Sequence, residues 1–109
     1  HDAHRQNEEH GDRFRTQSYT DDRPLSRRSL ERMIQRELTA GIYRCKGFVH
    51  LADDPDSSYV LQVVGRRADL TADRPWGTEQ PRNRIVAISH NSASHADQFA
   101  ALFDTCIAD

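Results

Sequence analysis

Along the chain, apolar and polar residues partly alternate from Phe14 to Thr20 (FRTQSYT), and a hydroxyl-rich run ends at Asp21 and Asp22, which predicts an opening strand closed by Pro24. Ser26 is placed to cap a helix over about 27 to 38, because Leu30, Met33, Ile34 and Leu38 recur at helical spacing and Gly41 supplies a stop. The segment Ile42 to Ala52 (IYRCKGFVHLA) alternates again. Tyr43, Cys45, Val49 and Leu51 share one face, while Arg44, Lys46 and His50 share the other with Ile42 and Phe48. Asp53 to Ser58 (DDPDSS) is a turn, and Tyr59 to Val64 (YVLQVV) is β-branched and apolar, so the two strands read as a hairpin closed by Gly65. Arg67 to Thr71 predicts a short further strand, followed by a loop through Pro75, Trp76, Gly77 and Pro81. Arg84 to Ser89 (RIVAIS) reads as a buried strand. Ser94, with Asp97 three residues on, caps a last helix whose apolar face is Phe99, Leu102, Phe103 and Cys106. This order, β-α-β-β-β-β-α, predicts an α+β two-layer sandwich: a largely antiparallel sheet of four to five strands with two helices on one face.

Before the first strand the pattern lapses. His1 to Asp12 (HDAHRQNEEHGD) has no large aliphatic residue and no periodicity, so residues 1–13 read as a flexible His- and acid-containing linker and 14–109 as one domain. The chain opens on His1 and not Met, so a fragment of something longer is expected. With 109 residues, 36% of them hydrophobic, there is material for one core and no second. No apolar run approaches the roughly 20 residues of a membrane helix, so no membrane partner is expected. The net charge is -2, from 15 basic and 17 acidic side chains, and gives no global positive field for nucleic acid. An RNA-binding α+β domain is further disfavoured because aromatic residues are not interleaved on the basic strand face. Two cysteines are too few for a disulfide scaffold, and with no signal-peptide pattern the expected compartment is the cytoplasm.

Candidate chemistry is sparse. A nucleotide-hydrolysing site needs a Gly-rich phosphate cradle with its Lys, and the sole Lys, Lys46, lies inside a strand, so this chain is not expected to be an enzyme. Cys45 and Cys106 fall on apolar faces and read as small buried hydrophobes, not nucleophiles. His1, His4 and His10, among Asp2, Glu8, Glu9 and Asp12, can gather around zinc or a similar ion; the bland alternative is a solvated linker with incidental histidines. His50, His90 and His95 would share a metal only if the sheet order brought them together. Trp76 is either a lid over the sheet edge or an interface anchor. Arg44 and Lys46, with Arg66 and Arg67, form either a basic patch for an anionic partner or a solvated face.

The run Ile42-Tyr43-Arg44-Cys45-Lys46-Gly47-Phe48, followed by Val60-Leu61-Gln62-Val63-Val64-Gly65, resembles the C-terminal domain of the CobW-like family of P-loop GTPases. The hydroxyl-rich strand, the Asp22-Arg23-Pro24-Leu25 lead-in, Pro75-Trp76, the Arg82 to Ile88 strand and the closing helix with Cys106 extend the likeness in order along nearly the whole chain. The linker is poorer in His than is usual in that family, and His50 stands where an aromatic is common. The resemblance implies a non-catalytic accessory domain of a GTP-dependent metallochaperone, in cobalamin biosynthesis or zinc homeostasis. GTP and magnesium would then sit in an N-terminal GTPase domain, with zinc or cobalt as the metal handled. It further implies that Arg44 and Lys46 face a partner, either that GTPase domain or a metalloprotein client, with Gly47 allowing close backbone approach; Trp76, as an interface anchor, is counted with these partner-binding candidates. The alternative is a free-standing metal-binding or sensor module using the His-containing arm.

Overall fold

The computed structural model describes residues 14–40, 43–90 and 98–109; Phe14, Tyr43 and His90 are described by their backbone alone. Strand β1 (Phe14–Asp21) is followed by helix α1 (Arg27–Met33), strands β2 (Tyr43–His50), β3 (Ser57–Val64), β4 (Arg67–Pro75) and β5 (Asn83–His90), and helix α2 (Phe99–Asp104). The strands form one antiparallel sheet in the order β1-β5-β2-β3-β4, with both helices against one face. This is the expected α+β sandwich.

Local chemistry accounts for most element boundaries. Ser26 caps α1, its hydroxyl accepting from the Ser29 amide at 3.2 Å. Beyond Met33 the helix widens into a π-helical turn over Ile34–Leu38, closed by the Thr39 amide donating to the Ile34 carbonyl at 2.9 Å. Gly41, Ser94 and Asp97 lie outside the described residues. Helix α2 starts at Phe99 without a side-chain cap. Strand β4 runs to Pro75, four residues past the expected end at Thr71. Among the described residues it is an edge strand paired with β3 alone, and a terminal Pro on such a strand forfeits no interior ladder bond.

The core lies between the sheet and the helices. Leu30, Met33, Ile34 and Leu38 from the first helical segment and Phe99, Phe103 and Cys106 from the second are buried against Tyr19, Cys45, Val49, Leu61, Val63, Ile85 and Ala87. Phe103 stacks on Tyr19 with ring centroids 5.0 Å apart and meets Phe99 edge-on at 5.1 Å. The segment after β1 is tied in by backbone. Leu25 bridges to both Leu51 and Ile107, and the Ser26 amide donates to the Cys106 carbonyl at 2.7 Å. The C-terminal end of the domain is thereby fastened to the lead-in of α1.

Candidate functional site on the open face of the sheet

Alternation sends every second side chain to the face that the helices leave uncovered. The register lines these residues up in rows across the strands. One row reads Thr16, Ile88, Arg44, Val64, Arg67; the next Ser18, Val86, Lys46, Gln62, Asp69; the third Thr20, Arg84, Phe48, Val60, Thr71. Four large apolar side chains therefore stand in the open: Phe48 at 43% exposure, Val64 at 45%, Val86 at 53% and Ile88 at 46%. Arg44, Lys46, Arg67 and Arg84 are interleaved with them, against one carboxylate, Asp69.

Of the residues expected to face a partner, Arg44 and Lys46 stand on this face. Gly47 contributes differently. Its position alternates with theirs, and a Cβ there would lie 2.5 Å from the Ile85 Cα and closer still to the Arg84 carbonyl oxygen. The close approach that Gly47 permits is between β2 and β5, inside the sheet. Arg67 joins the open face, whereas Arg66 occupies the two-residue β3–β4 turn behind Gly65, whose φ of 64° suits the first turn position.

Trp76 sits at the end of the face. Its amide donates to the Asp56 carbonyl at 2.9 Å, and its carbonyl accepts from the Glu79 amide at 3.0 Å across a turn that Gly77 enters with a φ of 63°. The half-buried indole meets His50 edge-on at 6.1 Å, and its Nε1 is buried with no acceptor among the described residues. His50 is held by its surroundings: Nδ1 lies 3.3 Å from the Asp22 carbonyl, and its amide donates to Asn83 Oδ1 at 2.7 Å. His95 and the side chain of His90 lie outside the described residues, as do His1, His4 and His10. No group of three or more His, Cys, Asp or Glu among the described residues is placed to hold a metal.

Asn83 carries no signal in the linear pattern, whose buried strand opens at Arg84. It is fully buried, and its Nδ2 donates to the carbonyls of Asp21 and Arg23 at 2.9 and 2.8 Å, so it locks β1, β2 and β5 together beside the Trp76 turn. A second unforeseen cluster joins α1 to the β2–β3 turn. Arg27 forks onto Asp53 at 2.7 and 3.2 Å and donates to the Tyr59 hydroxyl at 2.9 Å, while that hydroxyl donates to Asp54 at 2.8 Å. Cys45 and Cys106 are buried on the helix side; burial pushes the Cys45 thiol up to about 12 and raises that of Cys106. Both are packing residues, as their positions on the apolar faces predict.

Among the described residues, no helix is long and apolar enough to cross a membrane. The chain matches the family model of the cobalamin synthesis protein CobW C-terminal domain over residues 14–107. Its fold is similar to that of a Zn(II)-bound YjiA GTPase from E. coli, with a TM-score of 0.72 at 22% identity over 87% of this chain, and equally to a Zn(II)-bound triple mutant of the YjiA GTPase. The chain spans 30% of the length of either structure. No curated protein sequence matches it at a significant level.

Proposed function

Because the chain belongs to the CobW C-terminal domain family, we propose that it is the non-catalytic accessory domain of a CobW-like GTP-dependent metallochaperone, and that its open sheet face docks that protein's own GTPase domain. The observation that carries this reading is the exposure of Phe48, Val64, Val86 and Ile88 on a sheet whose other face is buried at its centre by the helices. Several large apolar side chains left exposed on one face and interleaved with charge mark an interaction site. The four cations among these residues ask for a partner surface with an apolar centre and acidic groups opposite Arg44, Lys46, Arg67 and Arg84. Trp76 extends the contact at one end, and Gly47 sets the strand spacing that positions its neighbours Lys46 and Phe48.

In this reading GTP and magnesium belong to the GTPase domain, and hydrolysis takes place there. Zinc is favoured over cobalt as the metal handled, since the structurally similar YjiA GTPase is a Zn(II)-bound protein. His1, His4 and His10 are the residues of this chain that would meet it, and a cytoplasmic metalloprotein would receive it.

The test mixes the chain with the GTPase domain of its own parent protein and follows binding by calorimetry. The expected result is a complex that weakens at high salt and at least about tenfold on Lys46→Glu or Phe48→Ser. No complex, or one indifferent to both substitutions, overturns the docking reading. A zinc titration of the chain alone addresses the arm: heat that vanishes when His1, His4 and His10 are replaced assigns them as ligands, and heat that persists removes them.

A further inference from the structure

A cavity of about 330 Å³ opens where the third row of the sheet meets the Trp76 turn, lined by Phe48 and Trp76 and by the guanidinium side chains of Arg74, Arg82 and Arg84. We propose that it is a binding site for an aromatic carboxylate, one planar ring bearing a single carboxylate. The cavity shares Phe48, Trp76 and Arg84 with the face proposed to dock the GTPase domain, so the ligand would compete with that partner; the test uses the chain alone, and its failure leaves the docking reading standing.

Size is the first constraint. The volume lies at the lower end of ligand pockets, which run from about 300 to 1,000 Å³, and so suits a one-ring ligand. Two aromatic side chains on one small cavity offer π faces and edges against which a planar ring packs. Charge then narrows the choice. Arg82 is engaged by Asp22 at 2.9 Å, and Arg74 has Asp73 as its nearest carboxylate at a looser 3.7 Å. Arg84, the cross-strand neighbour of Phe48, has no ion-pair partner among the described residues. Asp73 and Glu79 share the wall, so a polyphosphate would meet repulsion there, whereas one carboxylate answers the one uncommitted guanidinium.

The backbone is specialised at the same place. Between β3 and β4 the register shifts, Ser57 facing Pro75 while Tyr59 faces Ala72, so β4 carries an extra residue. In a regular strand Asp73 and Arg74 would point to opposite faces; the bulge lets both line this cavity. The Ser58 hydroxyl secures the bulge by donating to the Arg74 carbonyl at 3.0 Å.

Trp76 is the sole tryptophan, so its fluorescence reports on the cavity directly. The chain is titrated with benzoate, and the same samples are read by equilibrium dialysis so that binding silent in fluorescence is still seen. Saturable binding with a Kd on the order of 1 mM or tighter is expected. Acetate, which lacks the ring, and benzyl alcohol, which lacks the charge, should each bind at least about tenfold more weakly, and Arg84→Gln should weaken benzoate by a similar factor. Arg84 is exposed, so that variant keeps its fold. Absence of saturation in both readouts overturns the site, and so does benzoate binding unchanged by Arg84→Gln. Equal affinity for benzyl alcohol would reduce the cavity to an apolar crevice and overturn the assignment of its ligand class.

Discussion

The two faces of this sheet are made by the same five strands and yet have opposite chemistry. On the helix side, Tyr19, Ile85, Ala87, Cys45, Val49, Leu61 and Val63 are buried without a charged side chain among them. On the other side, residues one position away along the same strands mix valines, an isoleucine and a phenylalanine with arginines, a lysine and threonines. The first face is a core and obeys packing: its apolar area is removed from water at roughly 25 cal/mol per Å². The second holds apolar side chains that folding of this domain alone does not bury. A fold needs only one face covered, so what stands on the other is available for recognition.

Substitutions on either side of the sheet test this contrast, beginning with the largest effect. Phe103→Ala removes a fully buried ring that contacts both Tyr19 and Phe99 and should cost about 3 to 5 kcal/mol in chemical denaturation. A loss under about 1 kcal/mol would mean that the helices do not seal that face. Gly47→Ala forces a methyl group into the β5 backbone and should cost about 3 kcal/mol by separating the two central strands. If its melt matches that of the parent chain, the close approach of β2 to β5 is wrong.

A smaller effect is expected where β1 leaves the sheet. The Asp21 carboxylate accepts from the Arg23 side chain at 2.7 and 3.0 Å and from its amide at 2.8 Å, which holds its pKa near 2, below the ordinary 3.8. A depressed carboxylate stabilises the fold fully above its unfolded pKa, and that contribution disappears as pH falls from about 4 through about 2. Thermal melts should show Tm falling across that window, and Asp21→Asn should flatten this part of the profile; an unchanged slope would remove Asp21 from the acid response. Smallest of all, Val86→Ala and Ile88→Ala on the open face should change stability by no more than about 0.5 kcal/mol, and should weaken binding of the GTPase domain proposed to dock there. A large loss of stability in the isolated domain would show that the open face is in truth part of a core.

Much of this architecture is legible in the linear pattern, for identifiable reasons. The period-2 alternation of β2 assigns Cys45 and Val49 to one face and Arg44, Lys46 and Phe48 to the other, because successive side chains in a strand must diverge. Helical spacing of Leu30, Met33, Ile34 and Leu38 places them on the core, and the Ser26 cap follows from its hydroxyl preceding that stripe. The length of β4 is not legible in the same way. Its charged, nearly all-exposed residues carry no hydrophobic signal, and its extent is set by pairing with β3. Nor does pattern single out Asn83, whose buried amide matters only because the turn after β1 and the end of β2 converge on it.

The candidate sites divide along the same line. That Arg44 and Lys46 share a face with Phe48 is a property of the sequence by itself, since it needs only local backbone geometry. That Val86, Ile88 and Arg84 join them from β5, and that Arg74 and Trp76 close a cavity against Phe48, required the strand order β1-β5-β2-β3-β4 and the bulge at Ser57 to Tyr59. Alternation and caps act over a few residues and are written locally; pairing between segments tens of residues apart is chosen by packing the whole chain around one core, and only the tertiary structure records that choice.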